Sequence, residues 1–440
     1  MVELKQIAQR IFRETLAVID IPATLRRKLE RSGSRIRCGD LLVDLAKFER
    51  ICAIVYGKAS AAMAEGLLDV LAPDFRVEGA LAGPTAPRRA LPGFETFVSG
   101  HPVPNAGSFA AGRAILDRLA RCDERTLVLF LLSGGGSSLI EQPLEQPPLP
   151  AITLEDFQAF NRLLVTCGAP IDEINAVRKH LSAVKGGRLA AAAARSLKVT
   201  FGVTDVPEGR ESALASGPTL PDPTAVADAY RVVEQYGLLA KLPASIRARF
   251  ERRALLETPK PGDPAFARAH FQLLLSMHDL FHHAHQAAES FGFTSICDNC
   301  TDDWPLAKAA DYLIEQLERF KQENPGRPVA VIADGELSSP VTGDGLGGRN
   351  SAFVLYCVEK IAGKAIAVLS AGTDGVDGSS PAAGAVADGD SLSAARAAGL
   401  NPQDFMRRSD SYTFFRTLGD AIETGPTGNN LRDLRVLLAK

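Results

Sequence analysis

Hydrophobic and polar positions along the 440-residue chain follow two alternating periods. Short apolar runs bounded by glycine or polar residues, at 51–55, 127–132, 197–203, 271–276, 294–297, 329–333, 365–369 and 434–438, read as strands buried on both faces. Between them lie stretches with apolar residues three and four apart, at 59–71, 107–121, 153–165, 225–236, 244–253, 277–289 and 305–321, which read as amphipathic helices. Thr153-x-x-Asp156 supplies a capping box at the start of one of them. Strand and helix in alternation predict an α/β protein with mostly parallel sheets covered by helices. A stretch with three prolines after Glu257, ending at Pro264, interrupts regular structure and reads as a hinge. The expected organisation is therefore a domain at 1–256, a hinge at 257–264 and a domain at 265–440, two three-layer α/β domains separated by a cleft.

Composition narrows the partners. A net charge of -3 and a pI near 6.2 argue against nucleic acid or an anionic membrane and for a small molecule. The N-terminal residues 1–31 mix charges through an amphipathic pattern, Leu4, Ile7, Ile11, Phe12 and Leu16, without a signal-peptide core, and no apolar run is long enough to span a bilayer. A cytoplasmic protein is expected. The seven cysteines are scattered, and Cys297-Asp-Asn-Cys300 lacks the second pair that a zinc site would require.

The candidate chemistry sits just past strand ends, where open α/β sheets bind ligands. Ser133-Gly-Gly-Gly-Ser-Ser138 follows the 127–132 strand; Gly134, Gly135 and Gly136 allow positive φ and unobstructed N–H groups, while Ser133, Ser137 and Ser138 add hydroxyls, a turn suited to an anion. Lys58 follows the 51–55 strand at a helix start, where a cation is locally unfavourable unless it meets an anion. The segment from Asn175 through Arg178, Lys179, His180 and Lys185 to Arg188 is dense in cations and poor in adjacent carboxylates, either a solvated helix face or a set of donors for phosphate or carboxylate. Asp205 stands beyond the 197–203 strand, able to bind a magnesium-bearing phosphate, to orient a hydroxyl or to cap a turn. Later loops bring Glu336, a glycine-rich tract ending in Arg349, and the pair Asp374 and Asp377, which either hold magnesium or form turns. The tract contains a formal G-x-G-x-x-G at Gly343, Gly345 and Gly348, but no strand runs directly into it and no ribose-binding acid follows at the expected distance. A G-x-x-x-x-G-K-[ST] motif is absent from the sequence, which excludes a P-loop enzyme.

Taken in order, Leu132-Ser-Gly-Gly-Gly-Ser-Ser138, Asn175-x-x-Arg-Lys-His-Leu-Ser182 with Lys185-Gly-Gly-Arg-Leu189, Ser216-Gly-Pro-Thr219, Gly347-Gly-Arg-Asn350, Gly372-Thr-Asp-Gly-Val-Asp-Gly378 and Thr424-Gly-Pro-Thr-Gly428 resemble the class II glycerate kinases, built from an N-terminal domain and a C-terminal MOFRL domain. The resemblance covers nearly the whole chain. It implies phosphorylation of D-glycerate at the 2-hydroxyl by ATP with Mg2+, in a cleft between two α/β domains. It also implies that Lys58 is the family's essential lysine and Arg349 its essential arginine. Phosphate and substrate contacts then fall to Ser133–Ser138, Asn175, Arg178, Lys179, Asp205 and Glu336, and metal contacts to Asp205, Asp374 and Asp377. Three departures bear on substrate detail: Thr204-Asp205-Val206-Pro207-Glu208-Gly209 stands where Ser-Asp-Val-Pro-Gly-Asp is usual, Leu337-Ser-Ser-Pro340 follows Glu336 instead of a threonine-rich strand, and Asn429 replaces a threonine.

Two other readings compete with the kinase. Family members have carried the name hydroxypyruvate reductase, an oxidoreductase that would need a nicotinamide site. A non-catalytic anion-binding regulator would use the same loops without acting on a transition state.

Overall fold

The computed structural model describes residues 2–204, 206, 209–429 and 431–440. They form two compact units, Ile21–Leu274 and a discontinuous one made of Met1–Asp20 with Leu275–Lys440.

The first unit opens with a three-stranded antiparallel meander, β1 (Glu30–Ser32), β2 (Arg35–Cys38) and β3 (Leu41–Asp44). Its main sheet contains β4 (Arg50–Tyr56), β5 (Val77–Gly83), β6 (Phe94–Val98), β7 (Thr126–Ser133), β8 (Leu197–Val203) and β9 (Ala269–Leu275), in the order β6-β5-β4-β7-β8-β9. The pairings β5–β6, β4–β5, β4–β7 and β7–β8 are parallel. Alternate residues Cys52, Ile54, Tyr56, Val128, Phe130 and Leu132 join one core with the helix Ala106–Leu119. The intervening Ile51, Ala53, Val55, Leu127, Leu129 and Leu131 are buried as well, which is why both strands read as unbroken apolar runs.

The second unit carries β10 (Thr294–Asp298), β11 (Val329–Asp334), β12 (Ile366–Gly372), β13 (Gly384–Asp388), β14 (Ala421–Ile422) and β15 (Asp433–Ala439), in the order β10-β11-β15-β12-β13-β14. Only β10–β11 is parallel; β11–β15, β12–β15, β12–β13 and β13–β14 are antiparallel. The expectation of a mostly parallel second sheet is thus corrected to a mixed one. An apolar run reports burial, not strand direction, and β15 enters the middle of the sheet reversed.

The domain boundaries are corrected too. The first helix, Val2–Val18, buries Leu4, Ala8, Ile11 and Phe12, a helical stripe, and packs on β12, β15 and the helix Met277–Ser290 of the second unit. Lys5 reaches Asp420 at 2.7 Å. At the other junction, β9 completes the first sheet, so the chain leaves the first unit after this strand and not at 257–264. The proline-rich stretch is packed: Thr258 Oγ1 donates to Asp222 at 2.9 Å, the Asp222 N–H donates to the Pro259 carbonyl at 3.0 Å, and Glu257 receives His180 and Lys260. Proline removes regular hydrogen bonding without removing tertiary contacts. No helix among the described residues is long and apolar enough to cross a membrane.

Candidate functional site

In the first unit the turns after β4 and β7 interlock. The Lys58 N–H donates to the Gly134 carbonyl at 3.0 Å and the Ala59 N–H to Ser133 Oγ at 3.0 Å. Gly57 has φ +130°, and a Cβ there would lie 2.0 Å from Ser133 Oγ, so this approach requires glycine. Ser133, expected as a ligand contact, is fully buried, and its hydroxyl fastens the turn by accepting the Ala59 N–H. Ser137 and Ser138 follow in a short helical turn, Gly136–Leu139. Ser137 Oγ lies 2.7 Å from Ser216 Oγ, which donates to Asn175 Oδ1 at 3.4 Å. The Ser216-Gly217 turn in turn accepts the N–H groups of Gly186 and Gly187 at 3.0 and 2.7 Å. Four of the motifs separated in sequence therefore meet at one sheet edge. His101, which sequence reasoning missed, joins them: a Cβ on Gly135 would be 2.8 Å from His101 Nε2 and 3.2 Å from Lys58 Cγ. Burial, with the Lys58 charge adding to it, lowers the His101 pKa, which favours the neutral imidazole. The Lys58 side chain is exposed, with no carboxylate in ion-pair reach among the described residues.

The cation-dense segment resolves differently. Lys179 is buried and donates to Asp222 Oδ1 at 3.0 Å, His180 contacts Glu257 at 3.1 Å, and Lys185 pairs with the fully buried Glu141. Lys179, expected as a ligand contact, is instead half of a structural ion pair; its partner lies 43 residues away in sequence, invisible to a local charge count. Arg178 is the exception. It shares a face with Asn175, is half-buried, and its pKa is lowered by burial, with Glu141 opposing. Asp205 lies outside the described residues.

In the second unit Arg349 opens the helix Arg349–Lys360 and is held on two sides. Its Nε and Nη2 donate to Asp433 Oδ2 and Oδ1 at 2.5 and 3.3 Å, and its Nη1 to Glu336 Oε2 at 2.9 Å. The Glu336 N–H donates to Asp302 Oδ1 at 2.9 Å, and Asp302 pairs with Arg432 at 2.9 Å. The fork of Arg349 is aimed before any ligand arrives. Asp377, expected as a metal ligand, is 1% exposed and caps that helix instead: Oδ1 accepts the Asn350 N–H at 2.9 Å, and Oδ2 accepts the Ser351 N–H at 2.8 Å and its hydroxyl at 2.5 Å. Three hydrogen bonds thus tie it to the fold. Asp374 is half-buried beside Gly372, next to Asp433, and accepts the Val376 N–H at 3.1 Å. The loop at Thr424–Gly428 meets it, with the Thr427 N–H donating to the Asp374 carbonyl at 3.1 Å.

Asp433 and Arg435 escaped the sequence reading although both interrupt an otherwise apolar strand, which is itself the signal that buried charges need partners. Arg435 is fully buried and donates to the carbonyls of Asp334 and Gly335 at 2.9 and 2.8 Å. The neighbouring Asp334 is also fully buried, with no hydrogen bond to either carboxylate oxygen among the described residues. Burial pushes its pKa up from 3.8 to about 6, Asp302 and Asp433 adding to the rise and Arg432 and Arg435 opposing it. Between those two values the folded protein holds a proton that the unfolded chain has released, so stability falls as pH rises through this window and the full cost stands above it. Asp334→Asn is expected to raise the unfolding free energy at pH 8 by roughly 2–3 kcal/mol and to flatten this part of the profile. Urea unfolding at pH 5 and pH 8 checks it; an equal loss of stability at both would contradict the assignment.

Two family models and several relatives match the chain. Residues 7–251 match the domain of unknown function DUF4147, and residues 329–433 match the MOFRL family. The chain is 34% identical to a D-glycerate 2-kinase of Thermotoga maritima over 88% of its own length and 90% of the relative's. It is 35% identical to a provisionally named hydroxypyruvate reductase of Agrobacterium vitis, over 99% and 95% of the two chains. The crystal structure of a glycerate kinase from Thermotoga maritima superposes with a TM-score of 0.86 at 31% identity, covering 100% of both chains.

Proposed function

Because this chain belongs to the glycerate kinase family that joins a DUF4147 domain to a MOFRL domain, we propose that it transfers the γ-phosphoryl group of ATP to the 2-hydroxyl of D-glycerate, giving 2-phosphoglycerate and ADP. The observation that carries this reading is the similarity to a D-glycerate 2-kinase along 88% of the chain, joined to a lysine just past β4 and an arginine paired with Asp433 at the start of β15.

Phosphoryl transfer requires positioning and charge neutralisation more than covalent help. The glycerate 2-oxygen forms its bond to the γ-phosphorus as the bond to the β,γ-bridging oxygen breaks, and the hydroxyl proton leaves to a carboxylate or to solvent. Lys58 and Arg349 are the donors assigned to the moving phosphoryl group. The N–H groups of Gly134, Gly135 and Gly136 with Ser137, Ser138, Asn175 and Arg178 are assigned to phosphate or to the glycerate carboxylate. Glu336 holds the Arg349 fork in place. Magnesium bound to the triphosphate would offset its charge; Asp374 fits that contact, whereas Asp377 is committed to its helix. Asp205 is proposed to orient the acceptor hydroxyl.

The reductase name finds no support in the G-x-G-x-x-G match. A Cβ on Gly343 would lie 2.4 Å from the Arg408 carbonyl oxygen, one on Gly345 2.4 Å from Asp410 Cβ, and one on Gly348 2.3 Å from Asp377 Oδ1. These glycines fit one loop against another and are not spaced for a pyrophosphate. Incubating the protein with D-glycerate and ATP-Mg2+, beside hydroxypyruvate and NADH, tests the assignment. Glycerate-dependent ADP release with 2-phosphoglycerate as product is expected; NADH oxidation, or 3-phosphoglycerate as product, would contradict it.

A further inference from the structure

The second unit contains a cavity of about 490 Å³ that is lined in part by Arg349 and whose other lining residues have no role in the reaction as derived. Arg349 and, three residues on along the same helix, Ala352 both line it, so a guanidinium and an apolar wall share one helical face. The wall continues through Leu337, Pro340, Val341, Phe405 and Met406. Phe405 is fixed by edge contact with Phe414 at 5.5 Å between centroids and by the Arg408 guanidinium at 4.4 Å. Polar groups are few: the hydroxyls of Ser339, Ser379, Ser409 and Ser411.

The enclosing loop is tied down along its length. The Thr342 N–H donates to Ser409 Oγ at 2.9 Å, the Gly345 N–H to the Arg408 carbonyl at 3.0 Å and the Tyr412 N–H to the Leu346 carbonyl at 3.0 Å. Gly347 fits only because a Cβ there would come within 2.3 Å of Ser411 Oγ. The cavity is thus held between two fastened segments, and its shape is prepared before ligand arrives.

From these observations we infer that the cavity takes the base and sugar of the nucleotide, with the polyphosphate running out past Arg349. Glycerate, a three-carbon acid whose oxygens all seek polar partners, leaves most of this volume unfilled and its apolar wall unused. A nucleoside offers a flat, weakly polar base to the apolar wall and sugar hydroxyls to the serines. Apolar wall, hydroxyls and guanidinium are the three kinds of group that a base, a sugar and a phosphate require. The inference rests on the kinase reading for its identification of the phosphate donor.

Ala352→Leu keeps a good helix former and puts a larger side chain into the cavity. In steady-state assays it is expected to raise KM for ATP at least about tenfold while KM for D-glycerate stays within about twofold. Calorimetry with MgADP gives the second measurement: the wild-type protein binds it and the variant binds at least about tenfold more weakly. Unfolding by urea verifies that the variant is folded. A rise confined to KM for glycerate, or MgADP affinity equal in both proteins, overturns the inference. Wild-type protein that binds MgADP but does not phosphorylate glycerate would instead remove the kinase reading and leave the nucleoside site standing.

Discussion

Arg349→Ala is expected to lower kcat for glycerate phosphorylation by about a thousandfold or more, the scale seen when a positioned cation is withdrawn from a transferring phosphoryl group. The substitution also strands Asp433, whose side chain is 4% exposed and whose remaining cation, Arg435, is 4.0 Å away, so a stability loss of roughly 2–3 kcal/mol should accompany it. The double variant Arg349→Ala/Asp433→Asn separates the two effects, because it removes the stranded charge without replacing the donor. Stability should return and turnover should not. If the double variant recovers turnover, Arg349 serves the fold and has no contact with the reacting group. Arg349→Lys keeps one charge but cannot repeat the two-point contact with Asp433, and its kcat should fall between those of the wild type and the alanine variant.

Lys58→Ala should show the opposite division. Its side chain is exposed and makes no ion pair among the described residues, so unfolding should move by no more than about 0.5 kcal/mol. The turn around it depends on its backbone N–H and on Gly57, neither of which the substitution alters. Turnover should nevertheless fall by about a hundredfold to a thousandfold, read as kcat at saturating ATP and glycerate with a urea melt alongside. Unchanged kcat would remove Lys58 from the site.

Much of this was legible in the sequence because a strand's end marks where chemistry can sit. The runs at 51–55, 127–132 and 197–203 fall within β4, β7 and β8, and Lys58 and the serine-glycine turn follow them directly. Thr153 does cap the helix Leu154–Thr166, accepting the Asp156 N–H at 3.2 Å. What escaped were relations between distant segments. Lys179 and Lys185 looked like an unpaired basic face because Asp222 and Glu141 lie far along the chain. Asp377 looked like a metal ligand because nothing local shows that the helix at Arg349 would bring it two N–H groups. Gly384–Asp388 escaped as a strand because its small side chains, Gly-Ala-Val-Ala, carry little β signature. The meander at Glu30–Asp44 was passed over although Arg35–Cys38 alternates exposed and buried positions, the period-two signal of a strand.

The discontinuity of the second unit bears on how the protein is made. Synthesis runs toward the carboxyl terminus, so the helix Val2–Val18 leaves the ribosome about 350 residues ahead of β12 (Ile366–Gly372) and further ahead of β15, the strands it covers. Throughout that interval the segment 21–274 can complete its own sheet, whereas Leu4, Ile11 and Phe12 wait without their partners. Until those strands emerge the nascent chain carries an uncovered apolar stripe, which makes this helix the natural target for chaperone capture.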